Sequence, residues 1–108
     1  FVLNDPNRLN DVLTVFVECG VTGATVVDSV GMGRILARNL PVFAGFQDRF
    51  RAVQAGNKTI FSAVPDDGTV ARLVKLLEEV LGPLDRDGSG VLITVPVAEA
   101  HGVRLTDP

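Results

Sequence analysis

The chain has 108 residues, a formal net charge of −3 and one cysteine, with abundant aliphatic residues, few aromatics, and neither Trp nor Tyr. That length makes one α/β or α+β domain with a core adequate for independent folding, and the charge leaves no basic footprint for DNA or RNA. No apolar run approaches the roughly 18–20 residues needed to insert across a bilayer, and Cys19 alone forms neither an internal disulfide nor a cysteine-cluster metal site.

Residues 1–3, Phe-Val-Leu, read as a strand entered partway along and not as a signal peptide. The absence of an initiator Met carries the expectation of a few further upstream residues. Asn4 and Asp5 are both N-cap candidates, and Pro6 suits a first helical position that needs no N–H. Leu9, Val12, Leu13, Phe16 and Cys19 then follow helical spacing, and Gly20 supplies the left-handed residue that stops the helix. Cys19 at the end of that apolar face reads as a buried small hydrophobe in a cytoplasmic protein.

Residues 21–30 are β-rich, with Thr25, Val26 and Val27 at the centre. Gly31-Met32-Gly33-Arg34 follows as a turn in which glycine permits φ > 0 and close approach, while Arg34 offers a charged fork for an anion. Residues 34–57 have no clean period; they are apolar at Leu40, Val42, Phe43, Phe46 and Phe50 and basic at Arg38, Arg49 and Arg51. A short helix is expected over 47–55.

A second strand is expected over 58–64, then a helix capped by Asp66 or Asp67. Val70, Leu73, Val74, Leu77, Val80 and Leu81 form its buried stripe, and Gly82-Pro83 ends it. Residues 84–90 are polar and turn-rich, 91–97 read as the last strand with Pro96 near its exit, and 102–105 as a short terminal strand. The order β-α-β, long loop, β-α-β predicts an α+β, ferredoxin-like βαββαβ sandwich, an antiparallel sheet with two helices on one face. Apolar residues on both alternating sets of the strands predict that the other face is buried against further copies.

Three stretches resemble the PII signalling family, trimeric sensors of nitrogen and carbon status. Gly20-Val21-Thr22-Gly23-Ala24-Thr25-Val26 with Val30-Gly31-Met32-Gly33-Arg34 is similar to the strand entering that family's T-loop. Val64-Pro65-Asp66-Asp67 resembles its strand-to-helix junction. Gly88-Ser89-Gly90, Pro96-Val97 and Arg104 resemble its B-loop, last strand and basic C-terminal segment. The resemblance implies a single PII-like domain over residues 1–108 with a T-loop-like insertion at 34–57, assembled as a cytoplasmic homotrimer with an adenine nucleotide (AMP, ADP, ATP or cyclic AMP) between subunits. Thr25 and the backbone at Ala63 and Val64 would face the adenine. Gly31, Met32, Gly33 and Arg34 would lie by the phosphates, Arg86, Asp87, Gly88, Ser89 and Gly90 would wrap them, and Arg104 would arrive from the neighbouring chain. The resemblance makes the protein non-enzymatic, with no required cofactor, and its loop the reporter to a target protein.

Some residues depart from that family's pattern. Its modified T-loop tyrosine has no counterpart here, Ile35 stands where it has a glutamine, Leu84-Asp85-Arg86 replaces a Thr-Gly-Lys, and Val91 replaces a later lysine. These departures weigh against uridylylation, 2-oxoglutarate sensing and triphosphate binding, and favour a nucleotide with fewer phosphates or another small anion. Two other readings share the fold: a CutA-like structural or metal-tolerance trimer, and an acylphosphatase-like enzyme using Asn4-Asp5-Pro6-Asn7-Arg8. The long insertion and Gly88-Ser89-Gly90 weigh against the first, and the lack of any converging catalytic partner against the second. Asp66 and Asp67 read as helix caps, Asp85 and Asp87 as a turn too poor in oxygen ligands for calcium, and His101 as a solvated tail residue.

Overall fold

The computed structural model describes residues 1–39 and 56–103. The expected helix at 47–55, the apolar stretch around residues 40–50 and Arg104 lie outside the described residues. The chain runs β1 (Val2–Leu3), a 3-10 turn (Pro6–Arg8), α1 (Leu9–Glu18), β2 (Thr25–Ser29), α2 (Met32–Asn39), β3 (Asn57–Phe61), α3 (Asp67–Leu81), α4 (Leu84–Asp87) and β4 (Gly90–Val91). The four strands form one sheet in the order β2-β3-β1-β4, with every neighbouring pair antiparallel.

Local signals set the helices. The Asp5 carboxylate accepts from the Asn7 N–H at 2.9 Å and opens the 3-10 turn that leads into α1. At the far end, Gly20 (φ 82°) leaves the helix in the left-handed region that a side chain resists. Asp66 caps α3, accepting from the Thr69 N–H at 2.8 Å and from its hydroxyl at 2.9 Å. After α3, the Glu78 carboxylate accepts the Leu84 N–H at 2.9 Å, so the turn through Gly82 (φ 88°) is held from the helix it leaves.

The core lies between these helices and one face of the sheet. Val12, Val15 and Phe16 of α1 and Leu73 and Leu77 of α3 cluster with Leu3 of β1, Ile60 of β3, Cys19 and Val21. Leu3, Val12 and Leu77 are fully buried. Burying a side chain of this size contributes roughly 1.5–3 kcal/mol, which is why a 3.6-residue stripe on each helix suffices to fix its orientation.

The opposite sheet face is open over Thr25, Val27, Phe61 and Val91 and closes at Asn57, which is buried. The register places Thr25, Val27 and Ser29 of β2, Thr59 and Phe61 of β3, Val2 of β1 and Val91 of β4 on it. Phe61 is 60% exposed and Val91 53%.

Five expectations change in the structure, the first being that the strand expected over 58–64 runs over Asn57–Phe61. Residues 91–97 do not make a strand: pairing ends at Val91, and the register Val2↔Val91 brings Phe1 opposite Leu92. The ladder to β1 covers only Gly90 and Val91, and residues 92–97 carry no strand pairing among the described residues. The strand expected over 21–30 shortens to Thr25–Ser29, because Val21 turns into the core instead of pairing. Gly31-Met32-Gly33-Arg34 is not a left-handed turn. The Ile35 N–H donates to the Gly31 carbonyl at 3.3 Å, Met32, Gly33 and Arg34 are helical, and neither Gly31 nor Gly33 has positive φ. The expected terminal strand at 102–105 is absent over its described part, where Gly102 (φ 80°) bends the backbone.

Candidate functional site

Pairing decides which site residues share a neighbourhood. Ser29 pairs with Asn57, Leu3 with Lys58, and Leu3 with Gly90. The exits of β1 and β2 and the entries of β3 and β4 therefore meet at one end of the sheet. Gly31 to Arg34 and the Gly88-Ser89-Gly90 turn stand there. Thr25, paired with Phe61, begins β2 at the opposite end. Four residues of strand separate Thr25 from Ser29, about 13 Å.

At the Thr25 end, the segment entering β2 and the one leaving β3 enclose an open cavity of about 430 Å³. Its walls include Thr22, Gly23, Thr25, Ala63, Pro65 and Val103. The Ser62 hydroxyl donates to the Gly23 carbonyl at 2.6 Å and ties the two segments together. Thr25 and Ala63 both line this cavity, while Val64 packs against the core. The cavity is open to solvent, and Thr22, Thr25, Pro65 and Val103 on its rim are exposed.

At the other end, Arg34 extends across the start of β3. A Cβ at Gly56 would stand 3.0 Å from Arg34 Nη1, and Gly56 itself has φ 83°. Only glycine meets both conditions without strain. Arg34 Nε is buried and has no hydrogen-bond partner among the described residues. Beneath it, buried Asn57 accepts from the Ser29 hydroxyl through Oδ1, and Ser29 Oγ shares a 2.7 Å hydrogen bond with Thr59 Oγ1. This polar ladder pins the end of β2 to β3 directly below α2. Met32 is 74% exposed and points away from these partners into solvent.

The Gly88-Ser89-Gly90 turn follows the single-turn helix α4. Gly88 is left-handed (φ 62°, ψ 22°). A helical residue followed by a left-handed one is the backbone step that builds anion-binding concavities. Ser89 Oγ is buried and without a partner. Arg86 is exposed on α4. Gly90 packs so closely on β1 that an added Cβ would lie 2.6 Å from both the Val2 carbonyl oxygen and the Phe1 ring. Between the end of β2, which leads to Arg34, and the start of β4, which follows Ser89, lie β3 and β1, three strand spacings or about 14 Å.

The site candidates therefore fall into three groups: a cavity at one end of the sheet, and two polar clusters sharing the other. Asn4, Gly56 and Asn57 are the residues that sequence reasoning missed as site components. Gly56-Asn57 was visible only as a turn signal, and Asn4 only as a cap candidate. Among the described residues, no three His, Cys, Asp or Glu side chains gather as a metal-binding group, and no helix is long and apolar enough to cross a membrane. His101 lies exposed in the tail, 3.2 Å from Glu99.

Compared with protein-family models, curated proteins and solved structures, the chain finds no match.

Proposed function

We propose that this chain is a PII-like, non-enzymatic sensor: a cytoplasmic homotrimer of ferredoxin-like domains that binds an adenine nucleotide between subunits. Occupancy is reported to a target protein through residues 34–57. The observation that carries the reading is a pair of buried polar atoms at one end of the same sheet, Arg34 Nε and Ser89 Oγ, that have no partner among the described residues. A buried donor left unsatisfied costs about 1–3 kcal/mol, and an anion there would recover that cost.

Three further features support it. The strand order β2-β3-β1-β4, with helices after β1 and β3, agrees with the ferredoxin-like arrangement. The open face bearing Val27, Phe61 and Val91 suits burial against further copies. The cavity with Thr25 and Ala63 lies one strand length from the polar clusters, so the base end of one chain and the phosphate end of another would grip one ligand together. A ligand held in this way contacts α2 from Gly31 onward, and it shifts the following loop only by binding its two arrangements unequally.

Isothermal titration of AMP, ADP, ATP and cyclic AMP, with and without Mg, tests the proposal. One saturable ligand per chain is expected, with ADP or AMP tighter than ATP; a flat response to all four removes the nucleotide reading. Light scattering behind size exclusion is expected to give three chains per particle, and a monomer at binding concentrations rules out the intersubunit site.

A further inference from the structure

Asn4 makes two hydrogen bonds to one turn 84 residues away in sequence. Its backbone N–H donates to the Ser89 carbonyl at 2.9 Å, and its side-chain amide donates to the Gly88 carbonyl. Asp5, not Asn4, caps the following 3-10 turn, which leaves the Asn4 amide for this contact. We propose that Asn4 is the positioning residue of the Gly88-Ser89-Gly90 turn and aims the Ser89 and Gly90 N–H groups at a phosphate of the bound ligand. The proposal rests on the nucleotide reading above.

The argument follows from peptide geometry. In a planar trans peptide, a carbonyl and the N–H that follows it point in opposite directions. Holding the Gly88 and Ser89 carbonyls toward β1 therefore turns the Ser89 and Gly90 N–H groups away from β1, to the outer edge of the sheet. Gly88 at φ 62° permits the sharp reversal that brings both carbonyls to a single residue. Ser89 Oγ, buried and unpartnered, adds a third donor in the same turn. Without the side-chain bond, the Gly88–Ser89 peptide is free to rotate, and its N–H loses its fixed direction. Preorganised donors bind charge better than mobile ones because no ordering cost remains at the moment of binding.

The test compares the parent chain with Asn4→Ala by titration of ADP and inorganic pyrophosphate. Amide signals of ¹⁵N-labelled Ser89 and Gly90 are recorded in parallel on the ligand-free proteins. Asn4→Ala is expected to bind both probes about tenfold more weakly. The two amide signals shift or broaden, while the helical circular-dichroism signal is retained. If the parent binds both probes and Asn4→Ala binds them equally well, or if the two amide signals do not move, the positioning role is overturned and the nucleotide reading stands. If the parent binds neither probe, the phosphate site at this turn falls and takes the positioning role with it, and the four-nucleotide titration above decides the nucleotide reading separately. Asn4→Ser, which keeps a donor of shorter reach, decides by the same criteria should the alanine variant not fold, with an affinity below the parent's expected.

Discussion

Arg8 and Val80 join the two ends of the helical layer: Arg8 Nη2 donates to the Val80 carbonyl at 3.1 Å, across 72 residues of chain. The same guanidinium donates through Nε to Asp11 Oδ2 at 2.9 Å. One side chain thus satisfies an otherwise unpaired carbonyl near the end of α3 and is itself oriented by the first turn of α1. Arg8→Ala is expected to lower stability by about 1–2 kcal/mol in urea denaturation. Asp11→Ala should cost less than about 0.5 kcal/mol, because that pair is solvent-exposed and screened. Equal losses in the two variants would contradict the assignment.

Gly90→Ala places a methyl group against the Val2 carbonyl oxygen and the Phe1 ring, each 2.6 Å away. Phe1 can swing aside, but backbone cannot. We expect β4 to detach from β1 at a cost of about 2–3 kcal/mol, read as a lower urea midpoint. Cross-strand NOEs between Val2 and Val91 should vanish. Gly23→Ala, with open space around its Cβ position, is the control and should leave the midpoint near that of the parent.

Gly56→Ala combines a positive φ with contact at Arg34 Nη1. The backbone alone should cost about 1–2 kcal/mol. If Arg34 binds an anion, the displaced guanidinium also weakens ADP binding, in parallel with Arg34→Ala, which should lose about 1–3 kcal/mol of binding free energy. Calorimetry on both variants checks the pairing, and an Arg34→Ala protein with parental affinity removes Arg34 from the site.

Burial pushes the Cys19 thiol above its ordinary value of 9.0; Arg72 opposes that rise and Glu18 adds to it. Because the folded state holds the proton more tightly than the unfolded one, its contribution to stability is complete below the ordinary thiol range. It declines as pH climbs from there through the raised value. Cys19→Ala should flatten the alkaline decline in melting temperature. Iodoacetamide at pH 8 should label native Cys19 at least about tenfold more slowly than the urea-unfolded chain.

Asp66 shows the opposite sign. The backbone N–H of Thr69, and then its hydroxyl, hold the Asp66 carboxyl below its ordinary value of 3.8. Its contribution is present above that value and disappears as pH falls through the lowered one. Asp66→Ala should lower the denaturation midpoint at pH 7 and weaken its acid dependence. Asp66→Asn should keep most of the midpoint, since an amide oxygen also caps, and lose the pH dependence.

The sequence by itself determined the features whose causes are local. Spacing at Val12, Phe16, Leu73 and Leu77, a cap at Asp66 or Asp67 and the stops at Gly20 and Gly82 placed α1 and α3, because a helix satisfies its hydrogen bonds within its own segment; the structure then chose Asp66. The turn at Gly88 was legible in the glycines and polar residues around it, whereas Met32 to Arg34, expected as part of a turn, are helical. Only the tertiary structure decided how far each strand extends, since a strand's hydrogen bonds belong to its partner. Residues 93–97 alternate as a strand should, yet the observed pairing ends at Val91. The helix over Met32–Asn39 was hidden by Gly33 within it and Gly31 just before it, whose low intrinsic propensity the fold overrode. Asn4 on Gly88 and Arg34 over Gly56 are contacts of chain segments far apart in sequence. No periodicity records such meetings; they exist only once the core has brought the strand ends together.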